Sequence, residues 1–120
     1  MERPGALGVI GDTPVVRLSG VVDPGMAEVW VKLEAADPTG SYKDRMALAM
    51  IEGAERSGRL QPGERVIEYS GGSTGSSLAF ECAIKGYPLT VVSSDAFEGA
   101  RVATAQVDSR LTYLAGESYS

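Results

Sequence analysis

Residues 65–75 read RVIEYSGGSTG, and the fold of the chain turns on them. Residues 65–69 carry a short strand pattern that runs straight into Ser70-Gly71-Gly72-Ser73-Thr74-Gly75. Leu78, Ala79, Cys82 and Ala83 then recur at helical spacing, and Gly86 with Pro88 stops that helix. Residues 89–93 (LTVVS) are a continuous run of the kind expected of a strand buried on both faces. Strand, glycine-rich loop, helix and buried strand together make a βαβ unit.

The flanking sequence extends the pattern. Upstream, Ser41-Tyr42-Lys43-Asp44 matches a capping box with Asp at its last position, and Met46, Ala47, Met50, Ile51 and Ala54 mark a helix that ends at Gly58 and Pro62. Downstream, Phe97, Ala100, Ala103 and Val107 predict a third helix over 96–107, and residues 111–114 (LTYL) predict a last strand. From residue 41 the order is α-β-α-β-α-β, a three-layer-type α/β lobe on a parallel sheet of three strands. Ahead of it, residues 15–18 (VVRL) and 28–34 (EVWVKLE) predict an N-terminal strand pair, separated by the turn Asp23-Pro24-Gly25. In the second strand Val29, Val31 and Leu33 share one face, and Trp30 lies on the other with Glu28, Lys32 and Glu34. The division is 1–36 for the strand segment and 37–120 for the lobe.

Composition narrows the chemistry. The chain has 120 residues, with 11 Lys+Arg against 16 Asp+Glu and a net charge of −5, which argues against a nucleic-acid or anionic-membrane binder. It contains no histidine, so Ser-His-Asp and Cys-His triads and His-containing zinc sites are excluded, and no metal site is expected. The single Cys82 forms no intrachain disulfide, residues 1–10 lack a signal-peptide pattern, and no run approaches a membrane span. A cytoplasmic protein is the default expectation. Its chemistry rests on lysine, carboxylates, hydroxyls, backbone amides or a bound cofactor.

Two segments can carry that chemistry. The 70–75 loop lies at the carboxyl end of its strand, where ligands bind in parallel sheets. Its glycines admit a ligand close to the backbone, and the following helix offers unpaired N–H groups to a carboxylate or phosphate. It is neither a dinucleotide fingerprint nor a Walker A loop, and a tight turn with glycines kept for packing explains it too. The second segment is Lys43, placed in the first turn of a helix whose dipole favours anions there. That field lowers an amine's pKa, as a Schiff-base lysine requires. On the local pattern alone, a solvated lysine offset by Asp44 is the simpler reading. Asp44 and Arg45 read as a local ion pair, Cys82 as a small core residue, and Asp95 and Glu98 as helix-start residues.

Taken together, the segments resemble the amino-terminal part of a fold-type-II pyridoxal-phosphate enzyme of the cysteine synthase and cystathionine β-synthase family. Residues 10–18 (IGDTPVVRL) resemble its opening I-G-[ND]-T-P-L-V-x-L. Residues 31–34 (VKLE) with 37–45 (DPTGSYKDR) resemble its K-x-E…N-P-[TS]-x-S-x-K-D-R segment, and residues 70–75 resemble its T-S-G-N-T-G loop. The resemblance implies that Lys43 holds pyridoxal 5'-phosphate as a Schiff base and takes the substrate Cα proton once displaced. It implies that Ser70, Gly71, Gly72 and Thr74 grip the α-carboxylate of a small amino-acid substrate, and that Ser73 contacts the cofactor where the family has asparagine. A serine hydroxyl is shorter and less directional than that amide.

The implied reaction is β-elimination and β-replacement, an O-activated serine plus sulfide giving cysteine. In the family the phosphate cup and the residue facing the pyridine nitrogen lie further along than Ser120, so a truncated chain is expected, inactive alone or dependent on residues beyond it. The resemblance also assigns the first two strands to the family's other domain, so their apolar faces are expected to be open and covered in a homo-oligomer or by a complementing chain. The competing expectations are a non-catalytic interaction module that keeps the lobe without the chemistry, and an unrelated small-anion binder using the 70–75 loop.

Overall fold

A computed structural model describes residues 5–93 and the backbone of residues 111–114. Val15–Arg17 (β1) pairs antiparallel with Trp30–Lys32 (β2), with Val16 opposite Val31. Bonds from Leu18 N–H to Val29 O and from Leu33 N–H to Pro14 O extend that ladder at both ends. The regular part of the second strand is thus shorter than the 28–34 alternation suggests. Its two faces are also less unlike than expected: Val29 is 43% exposed on one and Trp30 57% on the other. Val31 is half-buried while all of β1 is exposed, and a two-stranded ribbon gains little stability by itself.

Lys43–Arg56 (α1) follows, then Val66–Tyr69 (β3), Ser73–Lys85 (α2), Leu89–Val92 (β4) and Leu111–Leu114 (β5). The last three strands form one parallel sheet in the order β3-β4-β5, as the βαβ reading requires. The helix expected over 96–107, with Asp95 and Glu98, lies outside the described residues. β4 is central and its first three residues are buried, in line with its unbroken apolar run. Gly86 closes α2 with φ 80°, a left-handed cap that a residue with a Cβ adopts only at a cost, and its N–H bonds to Cys82 O.

The core forms where α1 and α2 meet the sheet. Ala47 and Ile51 of α1 pack with Leu78, Ala79 and Cys82 of α2, and with Tyr87, Leu89 and Val91. A second cluster seats Leu7 and Ile10 on Leu48 and the partly buried Phe80, so the N-terminal segment rests on the helices. Two details of α1 differ from expectation. Met50 is half exposed, because the inward row is Asp44, Ala47, Leu48 and Ile51, turned from the expected stripe. The capping box does not form: Tyr42 is the N-cap, Ser41 Oγ accepts only the Lys43 N–H at 3.1 Å, and the Asp44 carboxylate turns inward.

Candidate active site

The 70–75 loop is braced from within. Ser70 Oγ accepts the Gly75 N–H at 2.9 Å and the Gly72 N–H at 3.2 Å, folding the chain back from β3 into α2. Gly75 is needed at this bend, since a Cβ there would stand 3.2 Å from Val91 Cγ1 and 3.4 Å from Ser70 Oγ. The Ser73 and Thr74 N–H groups, at the start of α2, precede the first intrahelical bonds and take no acceptor among the described residues. Ser70 is buried, Gly71, Gly72 and Thr74 are half-buried, and Ser73 is exposed. The loop therefore divides its labour. Ser70 holds the backbone, and the N–H groups of Gly71, Ser73 and Thr74 are the loop donors that take no acceptor among the described residues.

Lys43 opens α1, half-buried, with its Nζ 5.3 Å from the centre of the Tyr42 ring. Among the described residues it makes no ion pair, so the reading of a lysine offset by Asp44 does not hold. Asp44, 1% exposed, accepts the Thr39 N–H at 2.8 Å, the Thr39 hydroxyl at 2.5 Å and the Ser77 hydroxyl at 2.5 Å. Ser77 belongs to α2, one turn after Ser73. The carboxylate thus joins the first turn of α1, next to Lys43, to α2 one turn in from the Ser73 and Thr74 N–H groups.

Arg45 is also not the partner of Asp44. Its Nε donates to Glu34 Oε2 at 2.8 Å, its Nη2 donates to Thr13 Oγ1 at 3.0 Å, and Asp37 Oδ2 lies 3.8 Å away. The Arg45 guanidinium, helped by Lys32 and Thr13, holds the Glu34 carboxyl far below the usual carboxylate range. Asp37 accepts the Gly11 N–H at 2.9 Å and completes a polar seam between the N-terminal arm and α1. Sequence reading missed both networks. The available signals were Ser77, a polar residue beside Leu78 on an apolar helical face, and the recurrence of Glu34 before the Lys43-Asp44-Arg45 run. Cys82 is fully buried and burial pushes its thiol up to about 12, which fits a core residue and not a nucleophile.

Two open hollows lie elsewhere: one of about 470 Å³ in the 17–28 excursion and one of about 320 Å³ beside Arg45, Glu52 and Arg56. Neither is lined by Lys43 or by the loop, and neither gathers a group able to do covalent chemistry. No cluster of potential metal ligands occurs among the described residues.

A parallel strand running through a glycine-rich loop into a helix, with a second helix begun by a lysine bound to it, defines the class: an α/β protein with its candidate site at the carboxyl end of a strand. The chain belongs to the pyridoxal-phosphate dependent enzyme family, whose model matches residues 6–112. It is 58% identical over 79 residues to a cysteine synthase of Staphylococcus aureus strain N315, covering 66% of this chain and 26% of that one. It is 45% identical over 86 residues to cysteine synthase B of Escherichia coli K12, covering 72% and 28%. The solved structure of O-ureido-L-serine synthase superposes with a TM-score of 0.78 at 34% identity, covering 95% of this chain and 36% of that one. A lysine-to-alanine variant of that enzyme was solved with O-ureido-L-serine bound, and it matches 80% of this chain with a TM-score of 0.70 at 38% identity. The chain thus spans roughly a quarter to a third of the length of these relatives.

The family's cofactor is pyridoxal 5'-phosphate, and the donor set on this chain fits it. The aldehyde needs an amine without a competing carboxylate, and Lys43 makes no ion pair among the described residues, so it is the group that could hold the cofactor.

Proposed function

We propose that this chain supplies the lysine and the substrate-carboxylate loop of a β-replacement enzyme of the cysteine synthase type, taking an O-activated serine and sulfide to cysteine. The observation that supports the reading is the buried hydrogen bond from Ser77 to Asp44, which ties the helix that begins at Lys43 to the helix that follows the 70–75 loop. Bound pyridoxal phosphate supplies an electron sink for the charge that develops at the substrate Cα. Lys43 would hold that group through its amine, and the same amine would serve as the base for the substrate Cα proton. The Ser73 and Thr74 N–H groups orient the α-carboxylate, with Gly71 and Gly72 leaving the backbone open to it and Ser70 keeping the loop in shape. The Ser73 hydroxyl would contact the cofactor at the position where the family has asparagine.

The same reading assigns residues 1–36 and 37–120 to different domains of the whole protein. It places the protein in the cytoplasm, with the exposed Val15, Val16 and Trp30 covered in a homo-oligomer or by a complementing chain. No helix among the described residues is long and apolar enough to cross a membrane. The test is spectroscopic. Adding pyridoxal phosphate to the chain gives a visible absorption band that Lys43→Ala abolishes while leaving the melting curve in place. Equal bands from both proteins would refute the assignment.

A further inference from the structure

Asp44 is buried at 1% exposure and answered only by neutral donors: the Thr39 N–H, the Thr39 hydroxyl and the Ser77 hydroxyl. A buried carboxylate is expensive to desolvate, and no cation lies within ion-pair distance of it among the described residues. The start of α1 gives it some compensation through the helix dipole. A well-packed apolar residue would join the two helices at lower cost, as Ala47, Ile51 and Leu78 do a turn or two deeper. What an apolar contact lacks is direction. The carboxylate fixes three donors at set angles, and they come from the turn before Lys43 and from the helix that carries the anion loop.

The back of the same helix pair carries a separate tie. Glu55 of α1 takes Lys85 Nζ at 2.7 Å and the Tyr87 hydroxyl at 2.8 Å. α1 and α2 are therefore pinned at both ends, and the front pin sits one residue from Lys43 and one helical turn from Ser73.

We propose that Asp44 and Ser77 are positioning residues: their buried hydrogen bond sets the separation between the Lys43 amine and the Ser73–Thr74 anion donors, so a ligand carrying both a carbonyl and a carboxylate meets the two together. The proposal rests on the reading of Lys43 and the loop given above, and it assigns neither residue a contact with substrate or cofactor. Its action is through geometry, by raising the effective concentration of a loop-bound carbonyl at the amine.

Glyoxylate tests it, because it joins an aldehyde to a carboxylate, and acetaldehyde is the control that lacks the carboxylate. Each condenses with a lysine amine, losing water, and cyanoborohydride delivers hydride to the resulting C=N bond, leaving a stable secondary amine that peptide mapping locates. In the full 120-residue chain, the glyoxylate-to-acetaldehyde preference at Lys43 should exceed that at Lys32 and Lys85 by about tenfold, a modest effective molarity. Ser77→Ala should lower the Lys43 preference by roughly fivefold, leaving Lys32 and Lys85 unchanged, and Ser77→Thr, which keeps the hydroxyl, should restore it to within about a factor of two. Asp44→Asn, a poorer acceptor for three donors, should behave like Ser77→Ala.

The two possible failures differ. A wild-type chain with no preference at Lys43 refutes the reading of lysine and loop, and the positioning role falls with it. A wild-type preference that survives in Ser77→Ala and Asp44→Asn refutes the positioning role alone. A fall shared equally by all three lysines overturns it as well, since that reports general loosening; circular dichroism on each variant identifies that case.

Discussion

Gly75→Ala sets two effects against each other at the bend that shapes the anion loop. Alanine is the better helix former, and in a helix interior the exchange stabilises by about 0.8–1 kcal/mol. Here the added methyl would stand 3.2 Å from Val91 Cγ1 and 3.4 Å from both Ser70 Cβ and Ser70 Oγ. Val91 lies on the central strand between β3 and β5, so its backbone is held from both sides and its side chain must give by a few tenths of an ångström, a strain of roughly 0.5–1.5 kcal/mol. Ser70 cannot retreat freely either, because its Oγ accepts the N–H of residue 75 itself. Overpacking of this kind costs about 1–3 kcal/mol, so steric loss outweighs helix propensity and the variant is less stable by about 1 kcal/mol net. Equilibrium urea unfolding gives the sign, and the glyoxylate preference at Lys43 should fall with it as the loop shifts. A variant more stable than wild type by the full propensity gain would show that the loop does not press on the sheet as described.

Other outcomes follow from the ionisable groups. Cys82 should resist thiol reagents in the native chain, its thiol pushed up to about 12 by burial and then by Glu81, and should react only at the rate of unfolding. The Tyr87 phenol is raised from 10.0 to about 12 by its hydrogen bond to Glu55 and by burial, so the stability it adds is complete below pH 10 and is lost as pH rises through 12. Alkaline ultraviolet titration should show a late tyrosine component that Tyr87→Phe removes. Burial works to raise the Glu55 carboxyl, but Lys85 and Tyr87 outweigh it and lower the group, so its contribution is present above the ordinary value of 4.5 and fades as pH drops through the lowered one. Arg45→Lys keeps the charge and loses the paired contacts to Glu34 and Thr13. Amide exchange across residues 11–37 should quicken while the buried strand β4 keeps its protection.

The sequence carried the sheet because its signals are local. The run at 89–93 and the loop at 70–75 each announce their element within a few residues, and parallel pairing follows from their order. Lys43 stands out as a candidate only through its company, since the first turn of a helix does not by itself separate a reactive amine from a solvated one. What stayed hidden was pairing across distance. Asp44 matched a capping box by local pattern, yet its carboxylate serves Ser77, 33 residues away. Arg45 stood next to an opposite charge and chose Glu34 instead, 11 residues back. Met50 fits an apolar helical row equally well inside or outside, and only the direction of Asp44, Ala47, Leu48 and Ile51 decides which side faces the core.

Capture of the cofactor by the Lys43 amine, the core of the proposed function, can be read directly from a covalent label. The chain is incubated with pyridoxal phosphate, reduced with borohydride and mapped by mass spectrometry. Label at Lys43 approaching one per chain, with Lys32 and Lys85 nearly untouched, is the result expected. Label scattered over the lysines, with none at Lys43 above the rest, would contradict the account and favour a lobe kept for interaction without chemistry.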